Sequence, residues 1–246
     1  MARSNRPGWL LDEMRSIGRE NLDPAHVRHY DEKEDAEGAA EVALLRSHGL
    51  GSDSTVVDLG AGTGQFALAA AEVCRRVVAV DPSPPMRDLL REQARQRGVG
   101  LEVVADGFLT YEHQGEPADL IYSRFALHHL PDFWKAMALG RMRQMLRRGG
   151  TLRLWDVVYH FPLPEAEARI EQWCASLPAA PGPAAARTPP EEQSGWTRAD
   201  IEEHVRDEHS TFTWLLEEMF PRAGFQVREA VYSDDGFFAR YLLTAV

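Results

Sequence analysis

His128 and His129 stand side by side in the stretch Ser123–Asp132, SRFALHHLPD. An imidazole titrates near neutral pH, so either could take a proton from a nucleophile or orient one. Three other groups have types and spacing suited to chemistry. In VVDLGAGTGQ, Asp58 stands two residues before Gly60, and Gly60, Gly62 and Gly64 alternate. Glycine that dense after an apolar run brings main chain against a ligand. Asp156, Tyr159 and His160 close another apolar run. His204, Glu208 and His209 fall within about one turn of a charged helical segment. The i, i+4 pair His204 and Glu208 shares a face that could bind a metal, but the sequence offers no third ligand and charged helices are usually solvated. No metal is expected.

The glycine loop admits three ligands. A phosphate-binding loop of the mononucleotide kind ends in Gly-Lys-Ser/Thr, whereas this loop ends Gly64-Gln65-Phe66. The dinucleotide pattern G-x-G-x-x-G, counted from Gly60, requires glycine where Gln65 stands. Asp58 would oppose a pyrophosphate and favour an ammonium group, which leaves a cationic, phosphate-free ligand.

These residues need rigid elements to position them. STVVDLG, Arg75–Asp81, Leu101–Asp106, Ala118–Arg124 and Thr151–Tyr159 read as five strands. Helices are expected between them: Gly64–Val73, a segment from N-cap Ser83 to Gly98, and Pro131 to a glycine stop at Gly149-Gly150. That rhythm predicts an α/β, doubly wound, mostly parallel sheet. The last 22 residues read as an antiparallel hairpin turning at Asp235-Gly236. Residues 160–213 break the rhythm. Two helices, Glu165–Ser176 and Thr197–Asp207, flank a Pro/Ala-rich stretch over 177–190 and suggest an inserted helical cap. The expected division is a helical lid over 1–50, a core over 51–159 and 214–246, and a cap over 160–213. Trp155, Trp173, Trp196 and Trp214 flank the cap, and one or two are expected to line an aromatic pocket.

Four motifs in order resemble those of class I S-adenosylmethionine-dependent methyltransferases of the small-molecule branch: VVDLGAGTGQ, VVAVDPSPPM, VVADGF and SRFALHHLPD. The resemblance spans Val56–Val158 and implies a Rossmann-like seven-stranded sheet with S-adenosylmethionine as cofactor. It implies that Asp81 binds the ribose hydroxyls, that Asp106 lies near the adenine amino group and that Phe108 lies beside the ring. Asp58, Gly60, Ala61, Gly62, Gln65, Pro82, Met86, Gly107, Ser123 and Arg124 complete the implied cofactor set. Tyr30, in RHYDEKED, resembles a segment that folds over the cofactor. His128 would then lie near the methionine end. Arg124 could hold an acceptor carboxylate, and Asp156, Tyr159, His160, His209 and Trp214 join His128 as candidate acceptor contacts. Methyl transfer is an in-line displacement, so alignment in a dry site can supply most of the rate without a catalytic side chain.

The whole chain sets the limits. At 246 residues, with 44% hydrophobic and 26% charged residues, it can bury a sizeable core. Acidic residues outnumber basic ones 38 to 27, which opposes a nucleic-acid partner and favours a small-molecule acceptor. Cys74 and Cys174 form neither a disulfide framework nor a metal spacing, and no apolar run suits a signal peptide or membrane span. A cytoplasmic enzyme is expected, with a second copy of the chain as the one protein partner left open. The rival readings are an RNA or protein methyltransferase and a non-catalytic cofactor-binding protein on the same fold.

Overall fold

The computed structural model describes residues 7–28, 30–33, 37–177 and 196–246. The parts of the lid and of the Pro/Ala-rich stretch that fall elsewhere lie outside the described residues. Three short helices come first: α1 (Pro24–Arg28), α2 (Tyr30–Lys33) and α3 (Gly38–Ser47). Then follow β1 (Thr55–Leu59), α4 (Gln65–Ala71), β2 (Arg76–Val80), α5 (Pro84–Arg97), β3 (Glu102–Val104), β4 (Ala118–Arg124), α6 (Asp132–Met145) and β5 (Leu146–Tyr159). The chain continues through α7 (Ala166–Ser176), α8 (Arg198–Asp207), β6 (Thr211–Phe212), α9 (Thr213–Arg222), β7 (Phe225–Tyr232) and β8 (Phe238–Ala245).

The strands lie in the order β3-β2-β1-β4-β5-β8-β7, and the two-residue β6 pairs with the end of β5 off that path. β1 to β5 run parallel and β8 returns antiparallel between β5 and β7, so the seven-stranded Rossmann-like sheet is present. All five residues of β1 are buried, as a central strand covered on both faces requires. On one face Phe66 of α4 stacks on Tyr122 of β4, with α3 behind them. On the other, α6 and α9 cover Leu59, Leu152 and Tyr241. Each such side chain contributes about 1.5–3 kcal/mol on burial. Arg153 of β5 reaches through the first face to a buried two-pronged ion pair with Glu41 of α3, at 2.8 and 2.9 Å.

Local signals explain most boundaries. Ser83 caps α5 by accepting from the Met86 N–H, and Gly98 ends it at φ 66°. Thr197 and Asp200 form a reciprocal cap on α8. One expectation fails: Gly149-Gly150 do not stop a helix. α6 ends at Met145 and β5 starts at Leu146, passing through both glycines with its pairing to β4 shifted between Ala118 and Leu120. Thr211 and Phe212 form the short β6 beside the end of β5, immediately before α9.

Candidate active site

The strand order reverses between β1 and β4, and a crevice opens at their carboxyl ends, as open α/β sheets require. Gly60 (φ 73°) forms its floor. A Cβ there would collide with the Cβ of Ala126, so only glycine allows the β1 and β4 loops to meet. Asp81 leaves the end of β2, its Oδ2 accepting from the Gly62 N–H at 2.8 Å and its Oδ1 from the Ser83 N–H at 2.7 Å. The carboxylate thus ties the glycine loop to the start of α5. Asp58 is buried behind the same loop. Burial, then the Asp81 charge, push its pKa up to about 8, against one backbone N–H from Ala67. Burial likewise raises Asp81, against the Gly62 and Ser83 donors. Two buried carboxylates that are costly to ionise together make a crevice suited to a cation.

The N-terminal segment supplies a wall of which the sequence announced Tyr30 but not Glu13, Ser16, Ile17 or Asn21. The buried Glu13 carboxylate lies against Gly107, where a Cβ would collide with it, and Glu13 Oε2 accepts from the Leu109 N–H at 3.1 Å. Ser83 donates its hydroxyl to the Asn21 carbonyl at 2.6 Å. Ser16, Ile17 and Tyr30 line the crevice from the same side. Tyr30 apart, these contacts have no periodicity and sit outside the motifs, so pattern gave no signal for them.

A second space of about 250 Å³ adjoins the crevice, walled by the turn after β4 and by β5, β8, α7 and α8. Phe125 borders both. It follows Arg124 at φ 47°, an uncommon conformation for a large side chain, held by its N–H donating to the Trp155 carbonyl at 2.9 Å. Trp173 of α7 stacks on Phe237 at 4.2 Å, and Trp196, Leu177 and Ile201 add to an apolar wall. His129 also faces both spaces, with a buried Nδ1 that has no hydrogen-bond partner among the described residues. Burial, then the neighbouring His128, lower its pKa to about 4.

His128 is held from both sides. Its Nδ1 lies 2.5 Å from Asp156 Oδ1 and its Nε2 lies 3.1 Å from Glu208 Oε2. Burial pulls its pKa down, but Asp156 and Glu208 outweigh burial and raise it to about 10. The Leu127, His128 and Val157 N–H groups also donate to Asp156, at 2.8, 3.2 and 2.7 Å. With both ring nitrogens facing carboxylates, His128 is not placed as the free proton acceptor that its sequence context suggested.

Gly60, Gly62, Asp81, Pro82, Met86, Gly107, Phe108, Arg124 and Tyr30 line the crevice, and Asp58, Ala61 and Gln65 line its extension beside β1. Asp106 lies outside that lining, although its neighbours Gly107 and Phe108 belong to it. Ser123 is fully buried inside β4, because alternation along the strand turns it from the edge. Arg124 lies over the Phe125 and Trp155 rings, 4.6 and 4.3 Å from their centroids, and faces the crevice rather than the apolar space. Five expected acceptor contacts lie outside the lining of the apolar space. Asp156 is buried and spent on the 127–128 turn. Tyr159 packs among Phe161, Phe212 and Phe237. His160 is exposed and stacks on Tyr232. His209 is exposed, and its backbone makes the contacts: its N–H donates to the His128 carbonyl at 2.9 Å and its carbonyl accepts from Lys135. Trp214 is 55% exposed and stacks on Phe212. Of the four flanking tryptophans, Trp173 and Trp196 line the apolar space.

A crevice at the switch point, a glycine floor, an acid after β2 and an antiparallel β8 together define a Rossmann-like ligand-binding fold. The family model described as "Methyltransferase domain" matches residues 56–150. An uncharacterized methyltransferase of Anoxybacillus flavithermus is 30% identical over 177 residues, 72% of this chain and 71% of that protein. An uncharacterized methyltransferase of Geobacillus kaustophilus is 32% identical over 134 residues, 54% of this chain and 60% of its own length. Among solved structures, magnesium protoporphyrin IX methyltransferase from Synechocystis PCC 6803 with bound S-adenosylmethionine aligns at TM-score 0.62 and 12% identity, covering 98% of this chain and 100% of that one. The CcbJ methyltransferase from Streptomyces caelestis aligns at TM-score 0.59 and 16% identity, covering 85% and 90%. At those identities the two structures attest the fold. The chain belongs to the class I S-adenosylmethionine-dependent methyltransferases. Among the described residues no helix is long and apolar enough to cross a membrane.

Proposed function

We propose that the crevice holds S-adenosylmethionine and that the adjoining apolar space holds a small acceptor with an aromatic or aliphatic body, which the enzyme methylates. The observation that carries this reading is the shared border: Phe125 and His129 line both spaces, so a methyl donor in one can face a nucleophile in the other. The cofactor supplies an electrophilic methyl group on a cationic sulfur. The chain's part is to bind, align and exclude water. Asp81 would take the ribose hydroxyls with the lone pairs its two backbone donors leave free. Asp58 would face the ammonium group. Phe108, Met86 and the Glu13 wall would enclose the adenine. Asn21, whose buried Oδ1 has no hydrogen-bond partner among the described residues, offers one more acceptor for a ligand donor. The helices over 160–213 would choose the acceptor, because Trp173, Trp196 and Ile201 form its wall.

Incubation with methyl-labelled cofactor and a metabolite library, read by mass spectrometry, should give a methylated small apolar product and no label on bulk RNA or protein. Trp173→Ala should raise the acceptor KM about 10-fold through the lost aromatic contact and leave cofactor affinity within about 2-fold. Label on RNA or protein alone would overturn the acceptor reading.

Asp58 gives a separate test. With a pKa near 8, it is mostly protonated at pH 7 in the ligand-free protein. A cation beside it favours the carboxylate, so binding releases a proton and affinity rises with pH until about pH 8. Calorimetry at pH 7 in buffers of different ionisation heat should show that release. Asp58→Asn should abolish it and weaken binding by about 1.5–3 kcal/mol. The same proton count in wild type and variant would remove Asp58 from the ligand's charge.

A further inference from the structure

We propose that the chain carries a divalent transition-metal site of the zinc class, formed by His128 Nε2, His204 Nδ1 and the Glu208 carboxylate. These ligand atoms all lie within 4.8 Å of one another. They come from the turn after β4 and from the end of α8, and they open onto the apolar space. Two imidazoles and one carboxylate are the donor set of an open zinc-type centre, with positions left for a further ligand.

Three observations beyond proximity point to an ion. First, the outer nitrogen of each ring is already engaged. His128 Nδ1 meets Asp156 at 2.5 Å, and His204 Nε2 meets the Ser210 hydroxyl at 2.8 Å. Metal-binding histidines are held in this way, with the second nitrogen fixed and the first turned inward. Second, Glu208 Oε2 is buried and has both inner nitrogens beside it, yet makes a well-directed hydrogen bond to neither. Both inner nitrogens thus face one and the same carboxylate oxygen. Third, main chain fixes the arrangement. His209 N–H donates to the His128 carbonyl at 2.9 Å, Glu208 N–H donates to the His204 carbonyl at 3.0 Å, and Lys135 clamps the His209 carbonyl. Preorganised ligands on tied elements are what such a site needs.

An ion there would present its open positions to the acceptor space. A hydroxyl oxygen bound to it would lose its proton to solvent at a lower pH than in water. The site therefore favours an oxygen-bearing acceptor, and this clause alone rests on the function proposed above. Metal binding itself can be measured without turnover.

The test uses the full chain without an affinity tag, treated with chelator and dialysed. Titration with Co2+ should saturate at one ion per chain with visible d–d absorption, and Zn2+ should displace it. Glu208→Gln and His204→Ala should each weaken Co2+ binding at least about 100-fold, and Ser210→Ala, which removes only an outer contact, about 10-fold. S-adenosylhomocysteine affinity, unchanged within about 2-fold in all three, would show that the fold survives. Absence of Co2+ absorption up to millimolar concentration, or equal Co2+ affinity in wild type and Glu208→Gln, would overturn the site and leave a buried ion-pair cluster in its place.

Discussion

Asp156→Ala is expected to lower the melting temperature by roughly 6–20 °C, the shift that a loss of about 3–5 kcal/mol produces in a chain of this size. The carboxylate is 2% exposed and takes three backbone N–H groups and the His128 ring. Alanine would leave those donors buried without acceptors, which costs more than the net value of the bonds themselves. Asp156→Asn keeps the shape and one accepting oxygen and should recover part of the loss. Differential scanning calorimetry decides the matter: a shift under about 2 °C for alanine would mean that water replaces the carboxylate and that the 127–128 turn stands without it.

The second large effect concerns Asp81. Asp81→Ala should weaken S-adenosylhomocysteine binding by about 2–4 kcal/mol, roughly 30- to 1000-fold. Part of that loss would come from ligand hydroxyls and part from the loop, since the same carboxylate ties Gly62 to Ser83. Asp81→Asn separates the two. It keeps one accepting oxygen for the loop but removes the charge, so it should bind more tightly than alanine and less tightly than wild type. Wild-type affinity in both variants, measured by titration calorimetry, would take Asp81 out of the site.

The crevice was legible in the sequence because its parts are local. A buried strand, a glycine turn and a helix fall within Val56–Ala71, and the resemblance of VVAVDPSPPM and VVADGF to the family's motifs then points to Asp81 and Gly107. The C-terminal hairpin was legible for the same reason, through Asp235-Gly236. What failed was non-local or depended on side-chain direction. Asp156, Tyr159 and His160 share one strand end, but alternation and the 127–128 turn send them to three different neighbours. Glu13 meets Gly107 across a long loop with no pattern in either partner. His204 and Glu208 showed their shared face, but their companion His128 lies in another motif, and only the closure of α8 onto the β4 turn joins them. His209 and Trp214 drew attention by type, although it is the backbone of one and the exposed face of the other that the fold uses.

The contact of Gly60 with Ala126 has a consequence for how such a chain can diverge. The crevice floor is main chain, closed by a glycine that no other residue can replace without parting two strands. The adjoining walls include Trp173 and Ile201, on α7 and α8 and outside the sheet. Point mutation therefore acts unequally on the two. Exchanging a wall residue reshapes one space and leaves the strands paired, whereas exchanging the floor residue breaks the fold before it alters a preference. On the function proposed above, descendants of this chain can change what they modify many times over while the donor they draw on stays the same.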